Sequence, residues 1–243
     1  MPLREQLLLS WGRRHIGEVI RRRALHRALR HLRPQCILDA GCGRGDNALW
    51  CARMFACPVD AVDIDERLVA LAQRRFTAVH PLMLRAYRAD IEQLATTPVG
   101  PPDARYAIIY SVDVFEHLAH PEEALRSLAG LLTPRGAILI HVPRVHQRRF
   151  FRKFVHYDQH DHARDGFEPE ELVTLATCAG LHVAAMRHTF GPPGALAWEL
   201  FQLAQGIGKW FALLTYPVPW LLAQIDGSFR WKRGNGILVT LRA

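Results

Sequence analysis

Three glycines at alternate positions, close behind an acidic residue, are the part of this sequence best suited to chemistry. A short apolar run ends in Asp39, is followed by Gly41, Gly43 and Gly45, and continues into a helical pattern. Glycine lets the backbone turn tightly and lets a bulky ligand lie against bare main chain. A following helix directs its first N–H groups toward that turn. The spacing predicts a ligand-binding loop, but phosphate-binding and dinucleotide-binding loops share this logic.

Two absences narrow the choice. The run reads G-x-G-x-G with an acid two residues before its first glycine. It lacks the G-K-[ST] that holds a nucleoside triphosphate, and it lacks the last glycine of the G-x-G-x-x-G dinucleotide pattern. Neither of the two commonest glycine-rich loops therefore matches.

Carboxylates follow two further predicted strands. Asp63 ends the second strand and Asp90 follows the third. In an open α/β sheet the ligand sits at the carboxyl ends of the strands, where Asp63 can accept both hydroxyls of a ribose. Asp90 is placed to accept a hydrogen bond from an exocyclic amine such as that of adenine, and Ile64 and Ile91 are expected to sandwich a flat ring. One acid at a strand end is more often a helix cap. Three acids on successive strand ends (Asp39, Asp63 and Asp90), together with the glycine loop, are hard to assign to capping alone.

The elements that must position these residues alternate between strand and helix, which predicts a parallel sheet with helices on its faces. The predicted strands are Cys36–Ala40, Val59–Asp63, Leu82–Ala89, Tyr106–Val112, Ala137–Val142, Leu181–His188 and Gly236–Arg242. The predicted helices of this alternating pattern are Asp46–Phe55, Glu66–Phe76, Glu122–Leu132 and Pro169–Ala179.

Two segments interrupt the alternation. Residues 143–167 are polar and rich in histidine and arginine, whereas residues 191–230 are apolar and aromatic. In the second segment, helical spacing predicts an amphipathic helix, and Pro217 and Pro219 are expected to break the chain beyond that helix. The stripe comprises Leu196, Leu200, Leu203, Ile207, Phe211 and Leu214. A lid, a membrane-interface element and a helical cap buried on the sheet remain open alternatives.

Composition and charge set further bounds. The chain has 243 residues, is 49% hydrophobic and carries a net charge of +8, with nine arginines but only Glu5 and Glu18 as acids in residues 1–33. Such a basic segment suits an anionic membrane surface or an acidic substrate, or is simply a solvated helix; nucleic acid ranks below these. Five cysteines without a C-x-x-C pair, and an N-terminus without a secretory pattern, predict a reduced, cytoplasmic protein.

Five stretches together resemble class I S-adenosylmethionine-dependent methyltransferases. They are Asp39–Gly45 (the first motif), Val62–Asp65 (the ribose acid), Ala89–Ile91 (the adenine acid), Tyr110–Leu118 (often x-x-L-E-H) and Leu132–Ala137 (usually L-K-P-G-G). The resemblance covers about residues 34–190 and the final strand. It implies a Rossmann-like, doubly wound α/β sheet of seven strands in the order 3-2-1-4-5-7-6, with the last strand antiparallel. The expected domains are a basic helical extension, 1–33, and a methyltransferase domain, 34–243, in which 143–167 and 191–230 are substrate-side insertions.

The resemblance also implies S-adenosyl-L-methionine as the cofactor and S-adenosyl-L-homocysteine as the product. Asp39, Gly41 and Gly43 would contact the methionine part, Asp63 the ribose and Asp90 the adenine. The implied cofactor-binding set is Asp39, Gly41, Cys42, Gly43, Gly45, Asp63, Ile64, Asp90, Ile91, Ser111 and Val112.

An oxygen or nitrogen acceptor can also require a general base. His156, His160 and His162 are the candidates, because they cluster in the first insertion; His117 and His141 lie after strand four and in strand five. Some class I O-methyltransferases use magnesium or calcium, but the spacing matches no zinc motif, and no metal site is predicted. Hydrogen bonding within the loop is the alternative role for each of the three.

The acceptor class follows from a second resemblance. The stretch His160–Leu172 resembles the H-x-R-x-[FY]-[ST]-x-E-E-L segment of small-molecule members near the quinone-biosynthesis and cell-envelope methyltransferases, with Glu168 in the Ser/Thr position. The prediction is methyl transfer to O, N or C of a small-molecule or lipid-linked acceptor, with peripheral membrane contact through 195–225 and the basic N-terminus on the cytoplasmic face. The alternative is an RNA or protein methyltransferase that docks its polymer through that N-terminus. No oligomeric state is predicted.

Overall fold

The computed structural model describes residues 15–79, 83–97, 99–101, 104–155 and 163–243. The strands are β1 (Ile37–Ala40), β2 (Val59–Asp63), β3 (Leu84–Arg88), β4 (Tyr106–Val112), β5 (Leu132–Pro143), β6 (His182–Thr189) and β7 (Gly236–Arg242). The helices are α1 (Ile16–Leu29), α2 (Asp46–Phe55), α3 (Glu66–Val79), α4 (Pro121–Gly130), α5 (Pro169–Cys178), α6 (Pro192–Ile207), α7 (Lys209–Thr215) and α8 (Pro217–Asp226).

The seven strands form one sheet in the order β3-β2-β1-β4-β5-β7-β6, with the first five strands along that order parallel and the last strands antiparallel. The predicted fold class and strand order are confirmed. The register pairs Asp39 with Ala61 and with Tyr110, and Asp63 with Arg88. Parallel pairing therefore brings the carboxyl ends of β1, β2, β3 and β4 to one edge of the sheet.

Buried apolar strands explain why this sheet forms. All four residues of β1 are buried, as are the first four of β2, which suits parallel strands covered on both faces. One of the buried side chains is a carboxylate, Asp60, and it is fully paired. Its oxygens accept from the Tyr106 hydroxyl at 2.8 Å and from Arg85 Nε at 2.7 Å, so its burial is compensated.

Several predicted bounds shift by one to three residues, and the largest change is at the start of β5. β5 already begins at Leu132, which pairs with Tyr106, and a bulge follows before Ala137 pairs with Ile108. The helical run is interrupted before Pro217, as expected: α7 ends at Thr215, and Pro217 and Pro219 lie in the first turn of the separate helix α8, where proline has no helical N–H to lose.

The described residues fall into two compact units. The sheet unit comprises residues 31–142, 163–186 and 239–243; the helical unit comprises 15–30, 143–155 and 187–238. The helical unit has its own core of Ile16, Ile20, Phe190, Ala197, Phe201 and Ala223; Phe190 lies between β6 and α6, and the others come from α1, α6 and α8. The domain boundary between residues 33 and 34 stays a prediction.

Two buried carboxylates organise the helical unit. Glu199, fully buried in α6, accepts the backbone N–H groups of Phe150 at 3.0 Å and Phe151 at 2.8 Å. Asp226, at the end of α8, accepts the N–H of Gly194 in the first turn of α6 at 3.2 Å. Each places a negative charge on otherwise unpaired donors, and Asp226 does so at the positive end of a helix.

All five cysteines are free thiols; Cys178 is exposed, Cys36 is half-buried, and Cys42, Cys51 and Cys57 are buried. Among the helices that the structure describes, none combines the length and the apolar character needed to cross a bilayer.

Candidate functional site

The glycine loop lies between β1 and α2, at the carboxyl edge of the sheet. Gly41, Gly43 and Gly45 have φ angles of +84°, +51° and +74°, in the region that glycine adopts without strain. The N–H groups of Gly41 and Cys42 both donate to the carbonyl of Val62, at 2.9 and 2.8 Å. The loop is thereby attached to the neighbouring strand β2.

The three glycines have different surroundings. A Cβ on Gly41 would lie 2.2 Å from a Val114 methyl, and one on Gly45 would lie 2.6 Å from the Phe76 ring. A Cβ on Gly43 would meet nothing within 4 Å. Gly41 and Gly45 are thus required by packing within the protein, whereas the backbone at Gly43 faces open space.

The far side of the loop is held by an arginine on α3. Arg75 is buried and donates from Nη2 to Asp46 Oδ1 at 2.7 Å and from Nη1 to the carbonyl of Arg44. Asp46 begins α2, so one guanidinium fixes both the loop and the helix start. The open backbone at Gly43 therefore belongs to a fixed turn.

Asp39 is the most buried carboxylate of the site, at 2% exposure. Burial raises its pKa to about 7, and the negative charge of Asp63 adds to this, while the Tyr110 hydroxyl and the Ala48 amide lower it. A carboxylate costs free energy in such surroundings unless a cation approaches it. Asp39 is therefore well suited to a positively charged ligand group.

Asp63 links the loop to β2. Its Oδ2 accepts the N–H of Gly43 at 2.7 Å, and its Oδ1 accepts that of Asp65 at 3.0 Å. The structure thus brings together two predicted site residues, Gly43 and Asp63. A carboxylate has about four acceptor positions, so Asp63 keeps acceptor capacity for a ligand hydroxyl.

Asp90 follows β3 and caps a one-turn helix over Ile91–Gln93. Its Oδ1 accepts the N–H of Glu92 at 3.0 Å. Ile64 is 65% exposed, which is unusual for its size, whereas Ile91 is 5% exposed. The exposed Ile64 offers an apolar surface at the carboxyl edge of the sheet, as a flat ring would require.

The end of β4 carries an acid–histidine pair that sequence reasoning did not identify. Asp113 Oδ1 lies 2.5 Å from Nδ1 of His141, a buried residue of β5, and the Asp113 N–H donates to the His141 carbonyl at 2.9 Å. Asp113 has a φ of +52°, so tertiary contacts hold its backbone in a strained region. The preceding Ser111 is buried and Val112 is half-buried.

The electrostatic potential at the glycine loop is negative. Burial, and then the charges of Asp39 and Asp63, raise the pKa of the Cys42 thiol far above its ordinary value. Cys42 is therefore an uncharged side chain and a poor nucleophile. The same negative potential favours a cationic ligand.

The predicted bases His156, His160 and His162 lie outside the described residues. His117 is exposed on the one-turn helix Phe115–His117. Within the part of the chain that the structure describes, no group of three His, Cys, Asp or Glu residues is arranged to hold a metal ion.

The chain is similar to known methyltransferases in sequence and in structure. A family model described as a methyltransferase domain matches residues 12–185. A malonyl-[acyl-carrier protein] O-methyltransferase of Halalkalibacterium halodurans is 31% identical over 107 residues, 44% of this chain and 38% of that protein. A ubiquinone biosynthesis O-methyltransferase of Bordetella avium is 27% identical over 160 residues, 62% of this chain and 64% of that protein. The chain thus spans less than two thirds of either relative.

Among solved structures, the O-methyltransferase of a trans-AT polyketide synthase multienzyme of Brevibacillus brevis, in complex with S-adenosyl-L-homocysteine, has a TM-score of 0.60. The match covers 96% of this chain and 75% of that one at 14% identity. Such low identity supports a shared fold, and a fold by itself does not fix a reaction.

Proposed function

The chain belongs to the methyltransferase-domain family, and from that premise we propose that it transfers a methyl group from S-adenosyl-L-methionine to a small-molecule or lipid-linked acceptor. The observation that carries the proposal is the open, left-handed backbone at Gly43, hydrogen-bonded to Asp63 and close along the chain to the buried Asp39. The donor carries an ammonium and a sulfonium, so a negative, glycine-lined turn fits it.

Different residues at the carboxyl edge of the sheet bind different parts of the donor. Asp39, Gly41 and Gly43 contact its methionine part, and Cys42 and Gly45 belong to the same binding loop. Asp63 accepts from the ribose hydroxyls, while Asp90, with Ile64 and Ile91, holds the adenine. Ser111 and Val112 line the end of β4.

Little covalent chemistry is required of the protein. The donor supplies an activated methyl group, so the protein contributes by aligning the acceptor with it and excluding water. Both named relatives are O-methyltransferases, which favours an oxygen acceptor. A hydroxyl acceptor loses a proton, and we propose one of His156, His160 and His162 as its base.

The donor assignment is tested with Asp63→Asn, which keeps the shape of the side chain but removes the charge. Calorimetry should show S-adenosyl-L-methionine binding weakened by about tenfold or more, because charge-assisted hydrogen bonds to the ribose are lost and the amide NH2 cannot accept the N–H of Gly43 or of Asp65. Glu123→Gln makes the same chemical change at an exposed position of α4 and should bind like the wild type. Full affinity in Asp63→Asn would refute the donor assignment.

The acceptor class is tested by incubating wild-type protein, radiolabelled donor and a fractionated cell extract. Label should enter the small-molecule or lipid fraction. Label confined to RNA or protein would favour the alternative function instead. Single His156→Ala, His160→Ala and His162→Ala variants then identify the base, which should show a lower kcat with unchanged donor affinity.

The proposed location is cytoplasmic, with peripheral membrane contact through residues 195–225 and the basic N-terminus. Exposed apolar side chains on α7 and α8 support the contact. Lipid-linked acceptors would be reached at such a surface.

A further inference from the structure

Helices α7 and α8 expose apolar side chains to solvent. On α7, Trp210 is 84% and Leu214 is 79% exposed, and their i,i+4 spacing places them on one face. On α8, Val218, Leu221 and Ile225 are exposed at helical spacing. We call these five residues the docking face.

The buried side of α8 carries few large apolar residues, which is the reverse of the usual pattern for a surface helix. Pro219, Ala223 and Asp226 are its buried residues, and Leu222 packs half-buried against the core, so only one large apolar side chain of α8 faces inward. A surface helix ordinarily buries its large apolar residues and exposes its polar ones. Monomeric soluble proteins rarely expose large contiguous apolar patches, and those that do use them as interaction sites.

The helical unit is also strongly basic. Its described residues include 15 Arg and Lys against three Asp and Glu, a formal net charge of +12, whereas the whole chain carries +8. Two of those three acids, Glu199 and Asp226, are buried. Lys209 precedes the docking face in sequence, and Arg230, Lys232 and Arg233 follow it, all four exposed.

Like charges are crowded within the unit. Burial, and then the charges of Arg23, Arg187 and Arg30, lower the pKa of Arg27. Neighbouring cations repel one another unless an anionic surface offsets the repulsion. The helical unit thus gains electrostatically from a negatively charged partner.

We propose that the docking face inserts into the interface of an anionic lipid bilayer while the flanking Lys and Arg residues contact its headgroups. This deepens the peripheral contact of the proposed function, and it does not depend on methyl transfer. Amphipathic elements with Trp and Leu on one side and cations on the other bind membranes in this way.

Lipid fits these residues better than two other partners. RNA offers phosphates to the cations and a stacking surface to Trp210, but the other four residues of the docking face are aliphatic and cannot stack on bases. A second copy would bring two units of charge +12 together, which is electrostatically unfavourable.

The test is co-sedimentation of the full chain with phosphatidylcholine vesicles, with and without phosphatidylglycerol. Wild-type protein should sediment with the anionic vesicles, and high salt should weaken the binding. The double variant Trp210→Ser, Leu214→Ser should lower the partition coefficient by roughly tenfold or more. The triple variant Arg230→Gln, Lys232→Gln, Arg233→Gln should lower it similarly, and only on anionic vesicles.

Val173→Ser is the matched control, because Val173 is an exposed apolar residue on α5 of the sheet unit; its partition should equal that of the wild type. Calorimetric donor affinity, read on every variant, reports folding and keeps failure of docking separate from failure of the proposed activity. Unchanged sedimentation of the double variant would overturn the proposal. So would a dimer in sedimentation velocity that the double variant dissociates, or tight RNA binding that anionic vesicles do not displace.

Discussion

The three loop glycines are distinguished by what surrounds them. Gly41 packs against Val114, whereas Gly43 faces open space. Alanine at either position has an unfavourable positive φ, at a cost of about 1–2 kcal/mol. Only at Gly41 does the added methyl group also overlap a side chain of the protein.

Gly41→Ala should therefore unfold more easily, by about 2–4 kcal/mol, because overlap adds to backbone strain. Gly43→Ala should lose only about 1–2 kcal/mol but should weaken S-adenosyl-L-methionine binding more than any stability loss explains. Urea denaturation and calorimetry measure the two effects. Equal stability losses in the two variants, with normal donor affinity in Gly43→Ala, would contradict the assignment of the open backbone to the ligand.

Asp39 should make stability depend on pH. Its folded pKa of about 7 lies above the ordinary value of 3.8, so the folded state holds the proton more tightly between these values. The stability contributed by Asp39 is fully present below the lower pKa and is lost as the pH rises through the upper one.

Asp39→Asn should thus stabilise the ligand-free protein at pH 8, on the order of 2–4 kcal/mol, and much less at pH 5. Urea denaturation at both pH values measures the difference. Asp165→Asn, at an exposed position, should show no such gap. A pH-independent effect of Asp39→Asn would mean that its charge is not what costs stability.

Residue chemistry was predictable where it depended on local spacing. The glycines, Asp63 and Asp90 were located from strand endings, and the Gly43–Asp63 contact follows from parallel pairing. The Asp113–His141 pair was not predicted, because its members are 28 residues apart and meet only when β4 pairs with β5. Its one sequence signal was an acid directly after a strand.

At the scale of elements, Asp226 connects α8 to the start of α6. Burial raises its pKa to about 6, while the amides of Gly194, Gly191 and Phe190, and Trp231, lower it. As a hydrogen-bond acceptor Asp226 thus stabilises the fold, whereas its buried charge destabilises the fold at neutral pH, and two substitutions separate these effects.

Asp226→Ala should destabilise the protein by about 1–3 kcal/mol, because buried donors at the start of α6 lose their acceptor. Asp226→Asn keeps an acceptor without the charge and should be neutral or stabilising at pH 8, with the difference shrinking toward pH 5 as the wild-type carboxylate is protonated through a pKa of about 6. Thermal unfolding across pH measures both. Matching losses in the two variants would show that charge, rather than acceptor capacity, is what α6 requires.

Strand and helix bounds were predictable where periodicity and caps agreed. α2, β2, β4 and β7 begin and end at the predicted residues. The Leu196–Leu214 stripe was expected to form the apolar side of an amphipathic helix, but α6 buries Ala197, Phe201 and Ala204 instead, and Ile207 and Leu214 are exposed. Periodicity locates a helix face, but only tertiary contacts decide which face is buried.

For the whole molecule, donor and membrane should act on different units. S-adenosyl-L-methionine should slow hydrogen exchange of the amides in the glycine loop and after β2 and β3, because bound ligand stabilises the segments that it contacts. Anionic vesicles should slow exchange in α7 and α8. Mass spectrometry with each ligand separately maps both effects. Donor-induced protection confined to α7 and α8 would place the donor in the wrong unit.

The cysteines give the protein a built-in attachment point. Cys178 ends α5 in the sheet unit and is the exposed one among five thiols, all of which lie in described residues. Burial, together with neighbouring negative charges, raises the pKa of Cys42. Burial is also the largest cause that raises the pKa of Cys57, to about 11. Both thiols therefore stay protonated and react slowly with electrophiles. A maleimide dye at neutral pH should therefore react first at Cys178. One fluorophore on Cys178, which lies outside the docking face, would then report vesicle binding by the protein without any substitution.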